Sequence, residues 1–337
     1  MKPRWLVSIL VLLMASCGSA DKTSLPPAAT DPTAALETPA GVEATEAVLP
    51  SPTLVLPTNT SVLPSPTIED TAIPTTSSLI TPVPAATLVK NSIPNAIIAK
   101  LDGGVKTFLL VGGSQNGNWV SAGEVAAGLP VIEEYQLYTR SVFQGWITSK
   151  GVVYEPICGQ HFVDFTPFNM DENGVGSSGA WTLIPRTPSE ISTDNETYLT
   201  AVAAWQVEQA PSMPIAAIKR IWKVDVEGNG TDEVFINATR YAEPTGHHVE
   251  PRDYSVVLMR TVIGSEVVTI ELAGEYYSET IENQFPLTYT LEFIGDLNGD
   301  GQMEVVVGVS RWEGMGFMVF EIDEDEVQLV LSVMCSL

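Results

Sequence analysis

The sequence contains one acidic pattern twice, IWKVDVEGNGTDEV at residues 221–234 and EFIGDLNGDGQMEV at residues 292–305. The copies lie 71 residues apart (292 − 221) and correspond without a gap as far as Arg240-Tyr241 over Arg311-Trp312. In each copy, β-branched and aromatic runs flank a loop of Asp, Asn and Gly, and two more apolar runs follow after turn residues. Such self-similarity indicates a repeated supersecondary unit. Each copy therefore predicts one antiparallel β-meander: strand, acidic loop, strand, turn, strand, turn, strand.

The rest of the chain beyond residue 96 has the same strand-like character. Short β-branched or aromatic runs such as Glu134–Thr139 are bounded by Gly, Asn, Asp or Pro, and Asn116-Gly117 is a strong hairpin signal. We therefore expect a mostly β fold built from antiparallel β-meander repeats. A propeller-like arrangement of these repeats is one alternative.

Two short helices are expected within this β framework. Ser121 with Glu124, and Thr193 with Glu196, have the spacing of a capping box. The second helix is expected near residues 194–210, because Pro211 ends it. The predicted organisation of the folded part is then a β-rich half at residues 96–210 and two β repeats with acidic loops at residues 211–337.

The N-terminal part of the chain is predicted to be a disordered tether at residues 17–95. Residues 21–90 contain twelve of the twenty-four prolines, much Ser, Thr and Ala, and no aromatic residue. A segment of this composition buries too little apolar surface to offset the entropy of ordering its backbone. The net charge of −25 at pH 7 also disfavours nucleic acid as a partner.

Residues 1–16 are typical of a secretion signal, with Lys2 and Arg4 before an apolar run that leads to Cys17. The tetrapeptide Met14-Ala15-Ser16-Cys17 resembles the cleavage box of bacterial lipoproteins. The resemblance implies removal of the signal, lipidation of Cys17 and an extracytoplasmic protein anchored to the cell membrane or the outer membrane. The alternative is a simple cleaved signal followed by an incidental cysteine.

The two acidic loops are candidate calcium sites. Ca²⁺ takes six to eight oxygen ligands, and a short loop can wrap around one ion by offering alternate side chains. Three carboxylates in one loop repel one another unless a cation lies between them. The alternative is an ordinary β-turn of Asp, Asn and Gly without metal. The candidate ligands are Asp225, Glu227, Asn229, Glu233 and the Thr231 carbonyl in the first loop, and Asp296, Asn298, Asp300, Glu304 and the Gln302 carbonyl in the second.

These loops do not fit an EF-hand, because position twelve is Ile236 or Val307 and strands are expected on both sides. They resemble instead the calcium loops of integrin-α-like FG-GAP or VCBS repeats. The resemblance implies a structural calcium ion in each loop, between strands of a blade. Glu227 is longer than the usual Asp or Asn, so the second loop is expected to be the better site.

The remaining cysteines, Cys158 and Cys335, form a candidate disulfide, because an extracytoplasmic location is oxidising. Two buried free thiols are the alternative.

The expected function is a calcium-stabilised binding module on the cell surface, with a polymer or a protein as its ligand. The sequence lacks a P-loop, a dinucleotide-binding glycine motif and a His-Glu-x-x-His motif. The alternative is an extracytoplasmic hydrolase whose catalytic carboxylates have no recognisable pattern.

Overall fold

The computed structural model describes residues 94–100, 107–165, 173–210, 213–244, 246–323 and 326–336. The predicted signal segment, Cys17 and nearly all of the tether lie outside these residues. Within them, no helix is long and apolar enough to cross a membrane.

The described residues are mostly β, and this confirms the expected fold class. The helices are α1 (Ala122–Gly128) and α2 (Glu196–Gln209). The strands are β1 (Asn95–Lys100), β2 (Thr107–Gln115), β3 (Asn118–Ser121), β4 (Glu134–Thr139), β5 (Val142–Glu155), β6 (Gln160–Phe165), β7 (Gly174–Ser177), β8 (Ser189–Glu190), β9 (Ile218–Val224), β10 (Glu233–Arg240), β11 (His248–Val249), β12 (Tyr254–Ile263), β13 (Glu266–Tyr276), β14 (Ile281–Glu282), β15 (Thr288–Gly295), β16 (Glu304–Arg311), β17 (Gly314–Asp323) and β18 (Glu326–Ser336).

The two sequence repeats form two antiparallel four-stranded meanders. The first meander is β9–β10–β12–β13, with β8 added at its β9 edge, and the second meander is β15–β16–β17–β18. The registers correspond as well: Val234 pairs with Arg260 in the first meander, and Val305 pairs with Phe320 in the second. Both acidic loops therefore lie at the same end of equivalent strand pairs.

The N-terminal strands form a ring of six antiparallel strands, in the order β1–β7–β4–β5–β6–β2, with β3 paired to β2. The β1–β2 pairing closes the ring. Because side chains alternate along a strand, Ile98 and Leu110 pack inside the ring with Tyr135, whereas Ile97 and Leu109 face outwards.

The sheets stack in layers. The outward face of the ring packs against the second meander through Leu109, Phe293 and Phe317. The second meander packs in turn against the first, where Phe235 and Ile294 share a core. Helix α2 covers the far face of the first meander with Val202 and Trp205. Both meanders are thus covered on two faces.

Of the two predicted helix N-caps, Ser121 and Thr193, the structure confirms only the first. Ser121 and Glu124 form the predicted capping box of α1. Helix α2 begins one residue after Asn195, whose side chain accepts the N–H of Thr197, so the predicted cap at Thr193 is wrong. Asn is as good an N-cap as Thr.

Cys158 and Cys335 are joined by a disulfide, with their Cα atoms 5.0 Å apart. The bond connects the turn between β5 and β6 to strand β18. It therefore ties the N-terminal ring covalently to the second meander.

Candidate metal centre

The second acidic loop folds around the carboxylate of Asp296. This carboxylate accepts the backbone N–H groups of Gly299 at 2.6 Å and Gly301 at 3.0 Å. Both glycines have positive φ angles, 86° and 93°, which glycine adopts without strain. The two glycines therefore let the loop turn sharply enough to bring its later residues back over Asp296.

Glu304 closes the loop from the first position of β16. Its side chain is buried, with 1% of its surface exposed. Oε2 accepts the backbone N–H of Leu297 at 2.6 Å, but Oε1 is buried without a hydrogen-bond partner among the described residues. A buried carboxylate oxygen without a partner is costly, and a cation would satisfy it.

A third carboxylate reaches the loop from outside it. Oxygen atoms of Asp300, Glu304 and Glu321 lie within 4.8 Å of one another. Glu321 was not among the predicted ligands, because it follows Asp296 by 25 residues (321 − 296) and belongs to β17. Its position follows from strand register: Val305 pairs with Phe320, so the next pair outwards is Glu304 with Glu321.

The other predicted ligands of the second loop are close to this cluster. Asn298 accepts the N–H of Asp300 at 2.9 Å, and its amide nitrogen donates to the Asp300 carboxylate at 3.0 Å and to Glu321 at 3.4 Å. The backbone N–H of Gln302 donates to Asp300 at 2.8 Å. The loop thus gathers side chains with hard oxygen atoms around Asp300.

Burial makes this cluster reluctant to ionise without a cation. It raises the pKa of Glu304 to about 9, and the nearby carboxylates of Asp300, Asp296 and Glu321 add to the effect. Burial also raises the pKa of Asp296 to about 6, with a smaller contribution from Asp300, although the loop N–H groups oppose the shift. A bound cation would favour the ionised form of both groups.

The first acidic loop has the same backbone arrangement. The carboxylate of Asp225 accepts the N–H groups of Gly228 at 2.7 Å, Asn229 at 3.1 Å and Gly230 at 2.9 Å. The N–H of Thr231 donates to the Asn229 side chain at 2.7 Å, and that side chain donates to Glu227. Asn229 and Glu227 of this loop are thus in contact, but among the described residues Asp225, Glu227 and Glu233 do not form a cluster of carboxylate oxygens like that of Asp300, Glu304 and Glu321.

The closing carboxylate of the first loop differs from its counterpart. Glu233 is buried, but Oε2 accepts the N–H of Val226 at 3.0 Å and Oε1 accepts the hydroxyl of Thr261 at 3.3 Å. Because Val234 pairs with Arg260, Thr261 occupies the position that Glu321 has in the second meander. A neutral hydroxyl thus satisfies in the first loop the oxygen that lacks a partner in the second.

The two loops are adjacent and are joined by Arg186. Its guanidinium donates to the carbonyl oxygens of Asp225, of Val226 at 2.7 Å and of Gly301 at 2.9 Å. The N–H of Met303 also donates to the Val226 carbonyl at 2.9 Å. Arg186 lies outside both repeats, and no local pattern marks it in the sequence.

The second loop is also bound to the segments that precede the repeats. The indole N–H of Trp181 donates to the carbonyl of Asp296 at 2.9 Å, and the Asn95 amide donates to the carbonyl of Leu297 at 2.9 Å. The N–H of Asp296 donates to the carbonyl of Leu183 at 2.8 Å. Order in this loop is therefore coupled to β1, to the segment around Trp181 and to the first meander.

The fold and the centre define a mostly β protein with two stacked meanders and paired acidic loops at one end. Comparisons with family models, with curated proteins and with solved structures found no match to this chain. The resemblance to FG-GAP or VCBS calcium loops therefore rests on the two loops themselves.

Proposed function

We propose that this chain is a calcium-stabilised binding module of the bacterial cell surface, anchored by a lipid on Cys17. The observation that supports it most is the buried Glu304 Oε1, which has no hydrogen-bond partner among the described residues and lies beside Asp300 and Glu321. In this proposal the carboxylates of the cluster bind a structural calcium ion and are not catalytic. A binding module is therefore preferred to the alternative of an extracytoplasmic hydrolase.

Calcium suits the second loop better than other common cations. Carboxylate and carbonyl oxygens are hard ligands, and Ca²⁺ accepts six to eight of them in flexible geometry. Asp296, Asn298, Asp300, Glu304 and Glu321 together with the Gln302 carbonyl offer enough oxygens without requiring ideal octahedral positions. Mg²⁺ demands such positions and keeps several waters, so an all-protein cage favours Ca²⁺.

Only the second loop is proposed to hold the ion. In the first loop both Glu233 oxygens accept hydrogen bonds, and Thr261 replaces the carboxylate of Glu321. Calorimetric titration of the purified chain should therefore give one calcium ion per chain. Sites of extracellular modules have dissociation constants of about 0.1–1 mM. Two equivalent ions per chain would contradict the assignment to one loop, and none would contradict the proposal.

Calcium is expected to raise the thermal stability of the protein. For a dissociation constant of 0.1 mM, ~1 mM calcium adds about 1.4 kcal/mol, which corresponds to a Tm increase of about 3–6 °C. Asp296→Ala should remove this increase, because it deletes the carboxylate around which the loop folds. Asp225→Ala should lower the Tm in chelator and leave the calcium-dependent increase. If Asp225→Ala removed the calcium-dependent increase in Tm and Asp296→Ala kept it, the ion would lie in the first loop.

The anchor is tested separately. In the proposal, the lipid on Cys17 holds the module at the membrane and the Pro-rich tether separates the module from it. Several acyl chains bind a membrane far more firmly than one. Cys17→Ser should move the protein from the detergent phase to the soluble fraction, measured by phase partitioning of cell extracts. Unchanged membrane association of this variant would reject the lipid anchor.

A further inference from the structure

A cavity of about 720 Å³ lies between helix α2 and the β12–β13 hairpin. This volume is in the range of small-molecule sites, about 300–1,000 Å³. Ala201 and Trp205 contribute to one wall, Val267 and Thr269 to the other, and Arg260 also lines the cavity. None of the described residues that line the cavity belongs to either acidic loop.

The two meanders show why this space is open. Position 320 of the second meander is equivalent to position 260 of the first, as the strand registers show. Phe320 is 4% exposed in the core between the two meanders. In the first meander the corresponding face is covered by α2, and the equivalent residue is Arg260 beside a cavity. A charged side chain thus occupies the position where the other repeat buries a phenyl ring.

Arg260 is held in place without a carboxylate in direct contact among the described residues. Its guanidinium lies 5.7 Å from the ring centre of Tyr198, a cation–π contact. Its Nε is buried without a hydrogen-bond acceptor, and no ion pair joins Arg260 to another described residue. The side chain is partly exposed, so a ligand would meet the terminal N–H groups and not the buried Nε. A carboxylate matches a planar guanidinium, because it accepts two parallel N–H donors.

We infer that this cavity binds a small ligand with one carboxylate and an apolar body, and that Arg260 receives the carboxylate. The alanine, valine and tryptophan side chains of the walls contact the apolar body. Glu196 and Glu208 also line the cavity, and with the chain's net charge of −25 they disfavour ligands with several negative charges. This inference deepens the proposed binding role and rests on it, because it gives the chemical class of the ligand.

The test uses two probes that differ in charge but hardly in shape, N-acetyl-leucine and N-acetyl-leucinamide. Binding to the purified chain is measured by saturation-transfer NMR. The acid should bind at least about 10-fold more tightly than the amide. Arg260→Gln should abolish this preference, whereas Arg311→Gln, a matched loss of charge at an exposed position of the second meander, should retain it.

A second variant covers the case in which Arg260→Gln does not fold. Ala204→Glu places a carboxylate on the exposed wall of the cavity and should weaken binding of the acid at least about 10-fold. Equal binding of acid and amide, full binding by Arg260→Gln or Ala204→Glu, or no binding of the acid at ~10 mM overturns the inference. Calcium titration of the same samples separates this result from failure of the calcium proposal.

Discussion

Replacing both Cys158 and Cys335 by serine is expected to lower the free energy of unfolding by about 2–5 kcal/mol. The disulfide joins residues 177 positions apart in sequence, and the chain-entropy model gives a ceiling of about 5 kcal/mol for a loop of this length. Both cysteines are only half-buried. Serine therefore adds little desolvation cost, and the decrease in the free energy of unfolding measures the contribution of the disulfide itself. Urea unfolding under oxidising conditions measures it.

The single variants supply the control for this measurement. Cys158→Ser and Cys335→Ser each break the same bond, so each should lose about as much stability as the double variant, and a reductant should have no further effect on any of them. Additive losses, or two free thiols in the unreduced wild-type chain by mass spectrometry, would show that the bond does not form.

The meanders were predictable from the sequence because their signals are local. Each strand is an apolar run, each turn contains or adjoins an Asp, Asn or Gly, and the 71-residue offset supports each copy by the other. The pairing of each acidic loop with its flanking strands could thus be predicted without reference to the rest of the chain.

The closing strand of the N-terminal ring could not be predicted in this way. Strand β7 has the sequence Gly-Val-Gly-Ser, which is typical of a flexible loop, yet all four residues are buried between β1 and β4. The structure explains Gly176: a Cβ atom there would lie 2.9 Å from the Ile98 side chain. Glycine is required by the close approach of Ile98, and that approach is a property of the assembled ring.

The residues of the candidate metal centre also fall into two groups, those that local sequence predicts and those that only the assembled fold places there. Asp296 and Glu304 lie in one short loop, and their spacing alone indicates a cation site. Glu321 and Arg186 come from other strands and segments, and they reach the loops only through register and packing. Glu321 also distinguishes the two loops, because Thr261 stands at its position in the first meander. Within the loops themselves, the side-chain ligands differ at Glu227 against Asn298 and at Asn229 against Asp300.

This difference between the two loops leads to the second large effect, which concerns Glu304→Gln. The glutamine oxygen can still accept the N–H of Leu297, and the new amide can donate to the carboxylates of Asp300 and Glu321. In chelator this variant should be more stable than the wild type by about 1–2 kcal/mol, because a buried oxygen without a partner is replaced by a donor. In ~1 mM calcium this advantage should shrink to about zero, because the wild type gains about 1.4 kcal/mol from the bound ion and the variant almost none. The variant lacks a charged ligand, and its calcium affinity should fall about 100-fold or more.

Glu233→Gln is the matched control, since Glu233 is the equivalent residue of the first loop. Both of its oxygens already accept hydrogen bonds from protein groups, and the Thr261 hydroxyl can accept from the new amide as readily as it now donates. This variant should therefore keep the calcium-dependent rise in Tm. Thermal unfolding of the wild type and of both variants with ~1 mM calcium and with chelator gives the six values needed. A Glu304→Gln protein that responds to calcium like the wild type would mean that the unpartnered oxygen is not a ligand, and loss of the response in Glu233→Gln would move the ion to the first loop.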